Sequence, residues 1–263
     1  MKTSLYFGFA LFILASIFSA CNNDDDGDIQ RGTLEIYFEP VYSESGQLIG
    51  RTTNFDYPTG ELIRFIVSDM YLGPLTLKGG MEDYELSDIE YINLSEPEMD
   101  SETNLTDKYL VFENVPTGVY SSLEIGIGVP EELNAMAPSD FPAGHPLRRE
   151  SHFWPPWNSF IFSKIEGRLD VDNDGSFGLN FIYHAGLDEL YRTLQFEGEI
   201  VIDPGQVTRL VFTVDHEKLF VNDADDFLDI QDNPIDHSAG DLAYMHFIAD
   251  NYADAITLRI LTD

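Results

Sequence analysis

The stretch Phe160-Ile161-Phe162-Ser163-Lys164-Ile165-Glu166-Gly167-Arg168-Leu169, followed by Asn173-Asp174-Gly175 and then by Phe177 to His184, reads as a β-hairpin. Two runs of β-forming residues flank a turn tripeptide. The pattern repeats on both sides. Downstream, Leu194 to Ile202 and Val207 to Val214 flank Asp203-Pro204-Gly205, and Ala255 to Leu261 closes the series. Upstream, Leu34 to Tyr42 carries β-formers with some alternation. Leu62 to Leu77 is rich in Ile, Phe, Val, Tyr and Leu, with a bend expected at Gly73-Pro74. Tyr109 to Phe112 leads through Pro116-Thr117-Gly118 into Val119 to Val129. Helical periodicity is confined to Leu242 to Asp250. Many short strands punctuated by Gly, Pro and Asp turns predict an all-β chain. The expected form is a single β-sandwich, immunoglobulin-like or an open barrel, with long loops and at most one short helix. With no internal repeat and no break in composition, one domain is expected over residues 33–263. Two segments read as irregular: Asn93 to Asp107, and Leu133 to Pro156.

The charge balance narrows the function. The 263 residues include 14 Lys+Arg against 47 Asp+Glu, a formal charge of −33. Nucleic acid is excluded as a partner, because phosphate binding needs clustered Lys and Arg. Adhesion to an anionic lipid surface by charge alone is disfavoured for the same reason. Acidity does not imply disorder here: 43% hydrophobic residues, with 19 Phe and 13 Tyr, supply a sizeable core.

Residues 1–20 read as an export signal. Lys2 gives a positive start, and the apolar run from Leu5 through Phe18 is short for a membrane span. It ends in Phe18-Ser19-Ala20-Cys21, which resembles a lipoprotein lipobox with Cys21 as the acylated residue. This is the single cysteine, so no internal disulfide can form. Residues 21–32, with Asn22-Asn23-Asp24-Asp25-Asp26-Gly27-Asp28, read as an acidic tether. That run resembles the surface-export signal of Bacteroidota lipoproteins. The expected location is the outer membrane, on the cell surface or the periplasmic face, held by the lipid anchor.

Candidate chemistry concentrates between Gly144 and Phe160. This stretch holds His145 and His152, two of the six His, and both Trp residues, Trp154 and Trp157. His184 ends a predicted strand. Imidazoles arriving from a loop and a strand end suit copper or zinc. Hydrogen-bonded surface histidines, with structural Trp side chains packed under a Pro-rich loop, are the alternative. Asp170-Val171-Asp172-Asn173-Asp174-Gly175 matches the first half of a Ca²⁺ loop, with Asp170, Asp172 and Asp174 as ligands. Its twelfth position is Phe181, not a bidentate Glu, so a plain hairpin tip competes. His216 and His237, each beside a carboxylate, read as solvated or hydrogen-bonded surface groups. No G-x-S-x-G elbow or P-loop occurs, and Gly126-Ile127-Gly128 has no following helix. Acidic pairs such as Glu131-Glu132 are unspecific in so acidic a chain. A non-catalytic binding protein is expected. A glycan- or protein-binding platform built on Trp154 and Trp157 is the rival reading.

Longer segments resemble the MbnP-like copper-binding family. They are Phe65-Ile66-Val67-Ser68-Asp69-Met70-Tyr71-Leu72, then Gly118-Val119-Tyr120 with Leu123 to Pro130 and Asn134. Trp154 to Trp157 with Phe160-Ile161-Phe162 and Lys164-Ile165-Glu166-Gly167, Tyr183-His184-Ala185-Gly186, and Ile248-Ala249-Asp250-Asn251 complete the set. The resemblance runs from about residue 33 to the end of the chain. It implies a periplasmic or cell-surface β-sandwich that binds copper through histidines. His184 is the best match, followed by His152 and the Trp pair. In some members a Trp in this neighbourhood is oxidised to kynurenine by a di-haem peroxidase-like partner, and an outer-membrane receptor is a further implied partner. The chain departs from the family in having two prolines between its Trp residues and Ser159-Phe160 in place of Gly-Tyr.

Overall fold

Alternation of side chains builds the first strand. The computed structural model describes residues 30–43, 46–95, 109–237, 240 and 242–261. The export signal, Cys21, nearly all of the acidic tether and most of the Asn93 to Asp107 segment lie outside these described residues. In β1 (Arg31–Tyr42) Leu34, Ile36 and Phe38 are buried, while Glu35, Tyr37 and Glu39 stay at least partly exposed. That is the period-2 signature of a strand with one face in the core. The other principal strands are β2 (Leu62–Lys78), β3 (Tyr109–Pro116), β4 (Gly118–Ile127), β5 (Ser159–Asp170), β6 (Leu179–Gly186), β7 (Arg192–Ile202), β8 (Val207–Asp215), β9 (Ile235–Asp236) and β10 (Ile256–Leu261).

They form two open sheets. The first has the order β10-β8-β1-β3, with β1 parallel to β8 and antiparallel to β3. The second has the order β7-β4-β2-β5-β6-β9, antiparallel except for the last pair. The predicted hairpin is β5–β6, with Lys164 opposite His184. Aromatic rings join the layers: Phe212 of β8 stacks on Phe38 and meets Phe196 of β7 edge-on at 4.8 Å. Tyr42 of β1 meets Phe65 of β2 at 5.8 Å. Aromatic pairs of this kind add about 0.5–1.5 kcal/mol beyond their burial. The all-β sandwich read from the strand pattern is therefore the observed architecture.

Among the described residues three α-helices accompany the sheets: α1 (Glu131–Asn134), α2 (His216–Phe220) and α3 (Ala243–Ala255). The expected helix is α3, which runs on past Asp250 to Ala255. The other two are single turns, too short to leave a periodic trace in the sequence. Asp215 caps α2 by accepting from the Glu217 N–H at 3.0 Å. His216, read as a surface group, is instead fully buried, with Nε2 2.8 Å from Ser68 Oγ. Its ring lies edge-on to Phe65.

A second, smaller core lies on the outer face of the second sheet. Tyr71, Val129, Phe160 and Phe162 project there and are covered by Phe141 and Leu147 from the Pro-rich segment. That segment is thus a packed lid of short turns, Pro138–Asp140, Pro146–Arg148 and Glu150–His152. Gly126 and Gly128 belong to this packing and not to a ligand loop. A Cβ on Gly126 would strike the Gly73 carbonyl and the Tyr191 hydroxyl, and Gly128 lies under the Phe162 ring with φ +110°.

Candidate metal centre

The lid and the β5–β6 hairpin set the site. His184 lies near the end of β6 on the outer face, and its Nε2 is 2.8 Å from Glu166 Oε1 of β5. The His184 bond holds the Glu166 carboxyl below its usual range, against the opposing effect of partial burial. Lys164, directly opposite His184, donates to the Ser151 carbonyl at 2.7 Å, and burial pulls its ammonium below the usual lysine range. A strand, a hairpin partner and the lid therefore meet in one row.

A second imidazole arrives from a distant part of the chain. β9 runs parallel to β6 with Ile182 beside Ile235 and Tyr183 beside Asp236. Continuing that register puts His237 next to His184, and the ring centres are 6.1 Å apart. Trp154 meets His237 edge-on at 6.0 Å, and Trp157 lies 6.2 Å from Trp154. Trp154 is exposed (38%), whereas Trp157 is half-buried against β6. Only glycine fits beneath it: a Cβ on Gly186 would sit 2.7 Å from the Trp157 ring.

Three side chains clasp the approach to His237. The hydroxyls of Tyr57, Tyr244 and Tyr183 donate to the carbonyls of Leu228, Asp229 and Asn233 at 2.6, 2.8 and 2.8 Å. These are the residues leading into β9. Burial raises the phenol pKa of Tyr57 and Tyr183 far above 10.0, so the clasp stays protonated and donating.

Of the five copper candidates read from the sequence, the structure gathers His184, Trp154 and Trp157. It assigns His152 and His145 to other work. His152 is buried, with Nε2 3.0 Å from Asp69 Oδ1 and Nδ1 3.1 Å from Ser151 Oγ. Both ring nitrogens are engaged, and the pair pins the lid to β2. His145 stacks on Phe141 at 4.5 Å, and its Nδ1 accepts from the Leu147 N–H at 3.2 Å. It caps a lid turn beside a hollow of about 420 Å³ whose lining also includes Glu90, Tyr91 and Arg149.

The calcium candidates lie at the tip of the β5–β6 hairpin. Asp170 is fully buried, and its two carboxylate oxygens accept from the N–H groups of Asp174 and Gly175 at 3.1 and 2.8 Å. Asp174 in turn accepts from Ser176 N–H at 2.7 Å. Asp170 and Asp174 fasten the hairpin tip by accepting from the turn's own amide groups. Among the described residues no three His, Cys, Asp or Glu side chains group as a metal cage.

His237 was missed as a ligand candidate, although a signal was present. Ile182-Tyr183-His184 and Ile235-Asp236-His237 are the same Ile-x-His pattern, and an in-register parallel pairing sets the two histidines side by side. The pair fits copper by donor type, since neutral imidazole suits that ion. Its ring spacing is also compatible with one shared ion at metal–nitrogen distances of about 2.0–2.1 Å. Among the described residues neither Nδ1 of His184 nor the ring of His237 has a hydrogen-bond partner.

Comparison with known proteins agrees with this architecture. A search of curated protein sequences gives no match. The chain is similar in structure to MbnP from Methylosinus trichosporium, with a TM-score of 0.59 over 89% of this chain and 100% of that one. At 11% identity that likeness speaks for the fold alone. The family model named MbnP matches residues 31–239, a span that takes in every principal strand except β10, together with the lid and His237. The chain belongs to the MbnP family.

Proposed function

We propose that this protein handles copper outside the cytoplasm, holding the ion between His184 and His237 beside Trp154 without catalysing a reaction. The observation that carries the reading is the pair of neighbouring imidazoles, one on β6 and one just past the end of β9. Membership of the MbnP family supports a metal-handling, extracytoplasmic role. Copper here is cargo, and the neutral imidazoles are its donors. In the same reading Cys21 carries the lipid that tethers the domain to the outer membrane. A di-haem enzyme and an outer-membrane receptor are the partners that follow from the family. Trp154, the exposed member of the pair, is the residue such an enzyme would reach.

The test is elemental analysis of the mature chain after anaerobic loading with Cu(I) and desalting. One copper per chain is expected in the wild type, with loss in His184→Ala and in His237→Ala. Stoichiometric copper retained in both variants would overturn the reading, as would its absence from the wild type. A second reading, a Trp154/Trp157 platform for a glycan or protein, draws on the exposure of Trp154. It expects Trp154→Ala to abolish ligand binding and metal chelation to leave it intact.

A further inference from the structure

We propose that Glu166 is a positioning residue that fixes the proton of His184 on Nε2 and so presents Nδ1 as the metal-facing atom. The inference rests on the copper reading and adds to it the identity of the donor nitrogen. Three observations carry it. Glu166 Oε1 lies 2.8 Å from His184 Nε2. Among the described residues Nδ1 has no hydrogen-bond partner. And the backbone explains why the contact forms: His184 stands opposite Lys164, so Glu166, two residues along β5 on the same outward face, is its diagonal neighbour.

The chemistry follows from what each group can do. A neutral imidazole carries one N–H and one lone pair. An ionised carboxylate only accepts, so the nitrogen facing Glu166 must be the one bearing hydrogen. The lone pair is then left on Nδ1. Histidine ligands commonly donate their second ring nitrogen to a carboxylate in this way, which fixes the ring and raises its basicity. Lys164, beside the pair on β5, donates to the Ser151 carbonyl at 2.7 Å.

Long-range proton–nitrogen NMR on the ¹⁵N-labelled mature chain tests the assignment, with His184→Ala identifying the resonance. In the metal-free wild type His184 should show a protonated Nε2 and a bare Nδ1, and Cu(I) should perturb Nδ1. Glu166→Ala should lose this tautomer preference and weaken Cu(I) binding by about 10–100-fold in chelator competition. Glu166→Gln, which keeps an oxygen acceptor on the same stem, should restore the tautomer and most of the affinity. A merely structural role would not produce that split. Copper uptake with Nδ1 protonated, or with affinity unchanged in Glu166→Ala, overturns this proposal and leaves the copper reading standing. Failure of the wild type to take up Cu(I) overturns both.

Discussion

Asp69 and His152 are the clearest case of a residue whose chemistry is decided by its surroundings. Both side chains are almost wholly buried, and each supplies the other's hydrogen bond. Tyr71 and Tyr91 wall the imidazole edge-on at 5.7 and 5.1 Å. Removing one member of such a pair strands the other in a poor solvent for it. His152→Ala is therefore expected to cost about 3–5 kcal/mol of stability in urea unfolding while leaving copper stoichiometry intact. Loss of copper without loss of stability would restore His152 as a ligand. The contrast with His184 is instructive, because nothing in the residue type separates the two. His152 neighbours the Trp pair in the chain and stands next after His184 in the family resemblance. A sequence shows proximity along the chain but not which ring nitrogens are already occupied. His184, Trp154 and Trp157 were named from the family-like segments they fall in, and the structure brings them into one neighbourhood. His237 was not named, since it is brought beside His184 by a two-residue strand docking 53 positions away.

Short elements of that kind depend on what holds them. β9 has two residues, and it is kept in register by the clasp of Tyr57, Tyr183 and Tyr244 on the preceding segment. The sign of its pH dependence follows from the raised phenol pKa values of Tyr57 and Tyr183. In the unfolded chain these phenols ionise from about 10.0, while in the folded chain they stay neutral to much higher pH. Their contribution to stability is complete below pH 10 and is lost as the pH rises above it. Stability is expected to fall in that window, with ultraviolet absorbance showing the buried phenols ionising together with unfolding. Ionisation of all 13 tyrosines near pH 10 with the fold intact would contradict the clasp. Longer elements needed no such help to be read. β1, β2, β5, β7 and β8 each carry enough β-formers between turn signals to declare themselves, and the β5–β6 turn was placed by Asn173-Asp174-Gly175 alone. What the pattern did not reveal was the lid. Its Pro and His residues read as an open loop, whereas Phe141 and Leu147 bury into a core of their own.

Across the molecule, the excess of 47 acids over 14 bases makes the folded state a concentrated anion. Among the described residues few carboxylates sit in close ion pairs with Lys or Arg, and self-repulsion opposes the compact form. Salt screens that repulsion, with a Debye length shrinking from about 30 Å at 0.01 M to 10 Å at 0.1 M. The thermal midpoint is expected to rise with added NaCl, by about 2–4 °C for each kcal/mol recovered. A midpoint that falls with salt would show that specific ion pairs, such as Arg209–Glu35, outweigh the general field. The pairing of β1 with β8 has a consequence in time. β1 is the first strand to form part of the domain, yet its parallel neighbour begins at Val207, with Thr33 beside it. Contacts this distant in sequence close large chain loops before they return any stabilisation, which places such folds among the slow ones. A chain delivered amino end first would carry β1 with half its backbone hydrogen bonds open until most of the polypeptide had followed. The interval before β8 arrives is when this protein is most exposed to proteases and to its own neighbours, and a helper that shields a lone strand would act then.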